Sequence, residues 1–232
     1  MDTCYPTTVS NRMRNVAELK DVELNNIRID SFADSQRVLT CCTIAREKIE
    51  IGDYDAGCTV LASWWKVGEW PNLKGLNGLA AAELLLTTGS LTDAVARVTR
   101  MVGGQRLAEA LISGSLALFD HLSENTRAVD ARIELGCCYY HQGLFDIAHS
   151  TLQSCVVSLT DKDYELRAVA QIRLAIVERH SGRLHEAHSL LEQVSSVEDM
   201  ISRSTKGRFH TEMANTLKEF GVAEGEKHYF DR

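Results

Sequence analysis

Apolar residues recur along most of the chain at every third or fourth position, the spacing of one face of an α-helix. Two stripes in the second half are the clearest, and they are Phe145-Ala148-Leu152-Cys155 and Leu184-Ala187-Leu191-Val194. A sustained two-residue alternation, which would indicate strands, does not occur. The pattern therefore predicts an all-α chain.

Glycines divide these helical stretches at regular places, namely at Gly52, Gly89, Gly143 and Gly182. Glycine readily takes the left-handed conformation that ends a helix. Each of the four is followed, after a short gap, by a second apolar stripe. The sequence therefore predicts an antiparallel helix hairpin around each glycine.

The predicted hairpins share one template. Gly52 and Gly89 are 37 residues apart, and Gly143 and Gly182 are 39 residues apart. The best-matched pair aligns Leu135-Gly136, Tyr139, Gly143, Ala148 and Leu152 with Leu174-Ala175, Glu178, Gly182, Ala187 and Leu191. Small residues at the eighth and twentieth places of a unit would let its two helices approach closely. A period of this length is the signature of a helical repeat protein.

The stretch LGCCYYHQGLFDIAHSTLQSC, residues 135–155, resembles the tetratricopeptide repeat (TPR) family, and five units in register extend the resemblance over roughly residues 38–221. The period of 37–39 residues departs from the 34 of that family. The resemblance implies a right-handed superhelical solenoid of antiparallel helix hairpins. It also implies a protein–protein interaction role, which composition alone does not.

The template divides the chain into an N-terminal segment, 1–35, and a repeat domain, 36–221. The segment 1–35 is interpreted as a capping helix or an arm. The predicted units lie near 38–71, 75–104, 129–162 and 168–201, with an extra helix at 105–122 and an incomplete unit at 207–232. Because the last unit lacks its second helix and a polar cap, we expect the chain to be the N-terminal part of a longer repeat protein.

In the TPR family the first helix of each unit lines a concave groove, and the second, fifth, ninth, twelfth and thirteenth places face the ligand. Carried onto this sequence, the resemblance implies a partner-binding set of Arg46, Glu50, Glu83, Asp130, Cys137, Tyr140, His141, Ile176, Arg179 and His180. This mixture of apolar residues and charges of both signs suits an amphipathic peptide or helix. The alternative is that the longer period buries these positions between neighbouring helices.

Cys137 and His141 lie four residues apart and share one helix face, a spacing that could activate a thiol nucleophile. The helix offers no oxyanion donors and no orienting Asn or Asp. The function that the resemblance implies is therefore kept as the expectation, a non-catalytic scaffold or adaptor, and no cofactor or metal is expected. A regulatory or oligomerisation domain of a larger signalling protein, controlled by proteolysis, is the alternative, and a Cys137/His141 enzyme the second alternative.

Charge and cysteine content restrict the kinds of partner and the cellular compartment that we expect. The chain has 25 Lys and Arg against 32 Asp and Glu, a net charge of −7, which disfavours nucleic acid and anionic membranes as partners. The expected partner is a protein or peptide, and self-association is left open. The seven cysteines are odd in number and form no CxxC pair, so free thiols in the reducing cytoplasm are expected.

Overall fold

The computed structural model describes the backbone of residues 32–230 and the side chains of residues 34–160 and 162–221. Nine α-helices occupy this part of the chain: α1 (Phe32–Glu50), α2 (Tyr54–Val60), α3 (Gly78–Thr99), α4 (Gly104–His121), α5 (Asn125–His141), α6 (Phe145–Ser158), α7 (Tyr164–His180), α8 (Leu184–Ser195) and α9 (Arg203–Phe230). Short 3₁₀ helices cover Asp161–Asp163 and Glu198–Met200. Residues 1–31 of the predicted N-terminal segment 1–35 lie outside the described residues. Residues 32–35 form the beginning of α1.

The helices form two layers. Each helix packs against the next along the chain, and α1, α3, α5, α7 and α9 also contact one another in that order. These five helices therefore make one layer, called here the inner layer, and α2, α4, α6 and α8 make the other. The predicted all-α fold of sequential helix hairpins is confirmed.

Five helix ends use the same turn. Gly52, Gly143 and Gly182 have φ of 77°, 77° and 78°, as the sequence predicts. At each turn the next residue donates its backbone N–H to the carbonyl five positions earlier, as in Leu144 to Tyr139 at 2.9 Å. This bond satisfies a carbonyl that the helix end would otherwise leave free. The ends of α3 and α4 make the same bond, with Arg100 and Ser123 in the left-handed conformation.

The predicted turn at Gly89 is wrong. Gly89 lies in the middle of α3, and the helix predicted as extra, 105–122, is α4, the antiparallel partner of α3. A Cβ atom at Gly89 would lie 2.6 Å from Cγ1 of Ile112 and 3.2 Å from its backbone nitrogen. This glycine therefore lets α3 and α4 pack closely. The predicted unit 75–104 and the predicted extra helix 105–122 therefore together form one hairpin, made of α3 and α4.

The last unit also differs from its prediction. Its helix begins at Arg203 rather than near residue 207, and α9 continues through Gly221 to Phe230. Ser202 starts it, because the Ser202 hydroxyl accepts the backbone N–H of Thr205 at 3.2 Å.

The small residues of the template act as predicted. A Cβ on Gly136 would lie 2.7 Å from Cγ of Leu152, so α5 and α6 pack in close contact there. Ala148, Leu152 and Cys155 are buried in the same hairpin, whereas Phe145 in the first turn of α6 is exposed. The core thus runs between the two layers.

Within the described residues, α3 is the one helix whose length and apolar composition would allow it to cross a membrane. Its apolar window is 78% buried by neighbouring helices. A core helix passes the same test of length and composition, and the burial of α3 is of that kind.

Candidate partner-binding groove

The ten predicted partner-binding residues divide into two groups on the inner layer. Three of them, Arg46, Glu83 and Asp130, join Arg127 in an ion-pair cluster, called here the Arg127 network. The other seven line two adjoining cavities. The first group lies on α1, α3 and α5, and the second group lies on α1, α5 and α7.

The Arg127 network ties α1, α3 and α5 together. Nη2 of Arg46 lies 2.6 Å from Oδ2 of Asp130, and Nη1 of Arg127 lies 2.5 Å from the same oxygen. Arg127 also holds both carboxylate oxygens of Glu83, through Nε and Nη2. This paired geometry is the strong form of an arginine–carboxylate contact.

The charges of this network are compensated within the chain. The Glu83 and Asp130 side chains are only 12% and 17% exposed. Burial alone lowers the pKa of Arg46, but the charge and hydrogen bond of Asp130 outweigh it, so that this pKa lies above its ordinary value. A partner that used these residues would have to break the ion pairs.

The two cavities adjoin each other farther along the inner layer. The first, called here the Tyr140 cavity, has a volume of about 310 Å³, and the second, the Ser90 cavity, about 420 Å³. Both are lined by Arg97, Cys137, His141 and Arg173. The two cavities, which share these four lining residues, are together called here the groove. Besides Cys137 and His141, the predicted residues Tyr140, Ile176, Arg179 and His180 line the Tyr140 cavity and Glu50 lines the Ser90 cavity.

Aromatic rings form one wall of the Tyr140 cavity. The Tyr140 ring centroid lies 5.1 Å from that of His141, 5.4 Å from that of His180 and 5.8 Å from that of Phe145. Burial raises the pKa of Tyr140. Burial, followed by the charge of Arg179, lowers the pKa of His180, so this imidazole is neutral at pH 7. The rings of Tyr140 and His180 therefore present an uncharged surface that suits an apolar or aromatic side chain.

Arg179 joins α7 to α9. Its Nε lies 2.5 Å from Oε1 of Glu212, and its Nη1 lies 2.5 Å from Oε1 of Glu219. Arg179 is therefore a structural link as well as a cavity residue. Replacing it would disturb the last helix together with any ligand contact.

Cys137 lies at the boundary between the two cavities. Burial raises the pKa of its thiol to about 12, so the thiol is protonated at neutral pH. Nδ1 of His141 lies 2.8 Å from Oδ2 of Asp93, so the expectation that no Asp accompanies this imidazole is wrong. Cys137 beside His141 therefore lacks the lowered thiol pKa that an activated nucleophile requires.

The polar and charged groove residues absent from the ten predicted ones are Ser90, Asp93, Arg97, Glu134, Arg173, Arg208, Glu212 and Tyr54. The predicted turn at Gly89 placed Ser90, Asp93 and Arg97 in the turn or in the helix after it, whereas all three lie on α3. Glu134 and Arg173 both occupy the sixth place of their units, one position beyond a predicted one. That shared sixth place was the signal available in the sequence.

Among the described residues, no group of three or more His, Cys, Asp or Glu side chains is arranged to hold a metal ion. The six described cysteines are free. Cys4 lies outside the described residues.

Comparison with protein-family models gives no match, and comparison with curated proteins gives none either. Two solved structures are similar over 85% of this chain, both of a Podosopora anserina protein named for kinesin light chain with nearly identical TPR-like repeats. One, a point variant, has a TM-score of 0.47 and 18% sequence identity, and 92% of its own chain is covered. The other has a TM-score of 0.47 and 20% sequence identity, and 93% of its own chain is covered.

A likeness at this level concerns the fold alone. A helical-repeat fold is evident from the chain's own hairpins: the shared left-handed turns, the close contact at Gly136 and the continuous inner layer. The chain is a helical repeat protein built of sequential antiparallel hairpins.

Proposed function

We propose that this chain is a non-catalytic interaction module that binds a segment of a partner protein in the groove. The observation that carries the proposal is that two cavities on the inner layer share four lining residues, Arg97, Cys137, His141 and Arg173. Seven of the ten residues that the resemblance implies line them.

The groove has the size and chemistry of a peptide site. Its cavities, of about 310 and 420 Å³, fall within the range of roughly 300–1,000 Å³ typical of ligand sites. One wall is aromatic and the other end is charged, so an occupant would need both apolar and polar side chains. An unmodified protein segment supplies that combination.

The protonated Cys137 thiol supports a binding role over thiol catalysis, because a nucleophilic cysteine needs a thiolate near neutral pH. The six free cysteines are consistent with the cytoplasm, which we propose as the compartment. The net charge of −7 favours a protein partner over nucleic acid or an anionic membrane. Scaffold and adaptor roles both follow from such binding.

A quantitative pull-down from the native lysate tests the proposal. The groove variant combines Tyr140→Ala with His180→Ala, which removes the aromatic wall and leaves Arg179 in place. The matched control combines Tyr164→Ala with His121→Ala, two exposed residues outside both cavities. We expect discrete protein partners that the control retains and the groove variant loses.

Equal recovery of the same partners by both double variants would contradict the proposal, because binding would then not involve the groove. Thermal unfolding of all three proteins is the accompanying check. Loss of partners counts only if the groove variant unfolds at a temperature close to that of the control.

A further inference from the structure

The connection between α2 and α3, residues 61–77, is irregular and much longer than the other connections of the fold. The backbone N–H of Asn72 donates to the carbonyl of Trp64 at 2.8 Å, which closes residues 64–72 into a loop, called here the Trp loop. Trp65 anchors this loop, because its indole ring is buried in the core and its N–H donates to a carbonyl of the loop at 2.9 Å. Long loops in compact domains are often functional.

The Trp loop lies against the turn that joins α3 to α4. A Cβ atom on Gly68 would lie 3.9 Å from Sδ of Met101, and one on Gly104 would lie 2.7 Å from Cε of the same side chain. Met101 therefore lies between the two segments. It joins residues 64–72 and 97–106 into one surface, called here the loop patch.

Four apolar side chains of the loop patch are exposed, and they are Val67, Trp70, Val98 and Val102. Val102 is fully exposed in the turn, and Val98 is 71% exposed at the end of α3. None of the four lines the groove. Apolar side chains that are exposed singly are ordinary, but a group of them on one surface indicates a binding site.

Positive charges accompany these apolar side chains. The two segments of the loop patch contain the basic residues Lys66, Arg97, Arg100 and Arg106 and one acidic residue, Glu69. Arg97 is ion-paired within α3. Lys66, Arg100 and Arg106 are exposed and form no ion pair with any residue that the structure describes. Because the whole chain has a net charge of −7, the loop patch has the opposite sign to the rest of the molecule.

An anionic lipid bilayer suits this combination better than an acidic protein segment does. Trp and small apolar side chains enter the headgroup region of a bilayer, and neighbouring cations bind anionic headgroups. An acidic protein segment would instead be recognised in a groove, along a helix face or at a sheet edge. The loop patch consists of two connecting segments, and its apolar side chains line neither cavity of the groove.

The acidic remainder of the chain is compatible with binding in one orientation. Charges farther than about 8–10 Å from the bilayer surface are largely screened at physiological salt. Repulsion of the other surfaces would therefore turn the loop patch towards the bilayer.

We propose that the loop patch binds peripherally to an anionic lipid bilayer, with Trp70 and Val102 in the interface and Arg100 and Arg106 against the headgroups. This inference goes beyond the proposed function and does not depend on it, because Arg97 is the one residue that the loop patch shares with the groove.

Sedimentation with lipid vesicles tests the inference. The full chain is mixed with vesicles of phosphatidylcholine alone, and with vesicles in which about 30% of the lipid is phosphatidylserine, a source of the negative surface potential. We expect the chain to sediment with the phosphatidylserine vesicles and not with the others. Binding should weaken as the salt concentration rises, because salt screens the attraction of the headgroups.

Two double variants with the same loss of charge locate the binding surface. Arg100→Gln with Arg106→Gln removes two cations of the loop patch, and Arg203→Gln with Lys218→Gln removes two exposed cations of α9. The first should weaken binding to phosphatidylserine vesicles at least about tenfold, since each cation near the surface contributes about fivefold. The second should weaken it by less than about twofold.

The apolar contribution is tested by Val102→Ser, with Val157→Ser as the matched control. Val157 is 75% exposed on α6, outside the loop patch. Val102→Ser should weaken binding at least about threefold, because less apolar surface enters the interface, and Val157→Ser should have no effect. Tryptophan emission should shift to shorter wavelength when phosphatidylserine vesicles are added, and Trp70→Phe should abolish this shift.

Three results would overturn the inference. The first is a chain that does not sediment with phosphatidylserine vesicles, which would leave an acidic protein as the partner of the loop patch. The second is an equal loss of binding in both double variants, because the attraction would then belong to the whole molecule. The third is an emission shift that persists in Trp70→Phe. The groove variant Tyr140→Ala with His180→Ala should bind vesicles like the unmodified chain, so the proposed function and this inference fail separately.

Discussion

The Arg127 network and the Ser90 cavity are built from the same residue types on the same helix layer, but they use their charges differently. In the network, Glu83 has both carboxylate oxygens held by Arg127. In the cavity, Nε of Arg173 is buried without a partner. The comparison shows that a charged residue on the inner layer becomes available to a ligand only where no other inner helix already pairs with it.

Spacing between the helices explains the difference. In the network, Arg46 of α1 reaches Asp130 of α5 directly at 2.6 Å, across α3. At the other end, a volume of about 420 Å³ lies between Asp93 of α3 and the arginines of α7 and α9. Charges that meet directly join neighbouring helices of the layer, and charges held apart leave space for an occupant.

Removing the central arginine of the network should have the largest effect on stability. Arg127→Ala leaves Glu83 and Asp130 with far less compensation, and we expect the free energy of unfolding to fall by about 3 kcal/mol. Urea unfolding followed by circular dichroism measures it. The exposed Arg106→Ala is the control and should change stability by less than about 0.5 kcal/mol. Equal effects of the two variants would show that the network does not hold the inner layer together.

A substitution at Gly89 tests the segment of α3 that connects the two regions. Glu83 of the network and Asp93 of the cavity lie on either side of Gly89. An added Cβ would lie 2.6 Å from Ile112, so Gly89→Ala should cost about 2 kcal/mol by overpacking. The measurement is the same urea transition.

Gly207→Ala on α9 is the matched control for Gly89→Ala. It is also a helical glycine, but a Cβ there would meet nothing within 4 Å. Since alanine is the better helix former, this variant should gain up to about 1 kcal/mol. A Gly89→Ala protein that is as stable as Gly207→Ala would contradict the close packing of α3 and α4.

Gly89 also shows how far the sequence could predict the fold. A glycine at a left-handed turn and a glycine at a close helix contact look alike in a sequence, since both only require the absence of a side chain. The turns at Gly143 and Gly182 are predicted correctly because the apolar stripes around these two glycines have the same spacing. Gly89 was not, because the turn after α3 uses Arg100 in the left-handed conformation, and a non-glycine residue gives no such signal.

The groove was predictable only to the extent that the repeat register was. Tyr140, His141, Arg179 and His180 lie in well-aligned units, and all four line the Tyr140 cavity. The α3 residues were lost with the turn at Gly89. Pairing was not predictable at all, because Arg127 and Glu83 are 44 residues apart and no local pattern relates them.

The buried cysteines allow the two regions to be compared by pH. Cys42 lies beside the network and Cys137 beside the cavity, and burial raises the pKa of each thiol to about 12 from 9.0. The unfolded chain loses these protons above pH 9, whereas the folded chain retains them until about pH 12. Each thiol should therefore lower the free energy of unfolding by about 1 kcal/mol between pH 9 and 10.

Cys42→Ala and Cys137→Ala measure these contributions separately. Each variant should lose about 1 kcal/mol less than the parent protein between pH 9 and 10, because other titrating groups are common to all three proteins. Equal differences would show that burial acts on the thiols of both regions alike. If Cys137→Ala retained the full pH dependence of the parent, the Cys137 thiol would be in contact with solvent.

The smallest effect on stability is expected at Arg173, and it provides the strongest contrast with Arg127. Arg173→Met keeps much of the side-chain length and removes a charge without a direct partner, so the free energy of unfolding should change by less than about 1 kcal/mol. Binding of a partner protein in the groove should nevertheless weaken, because Arg173 lines both cavities. Arg127→Ala should show the opposite pattern, with a larger effect on the free energy of unfolding than on binding. If Arg173→Met destabilised the chain as strongly as Arg127→Ala, Arg173 would hold the helices together as Arg127 does, because only a lost internal contact produces such a cost.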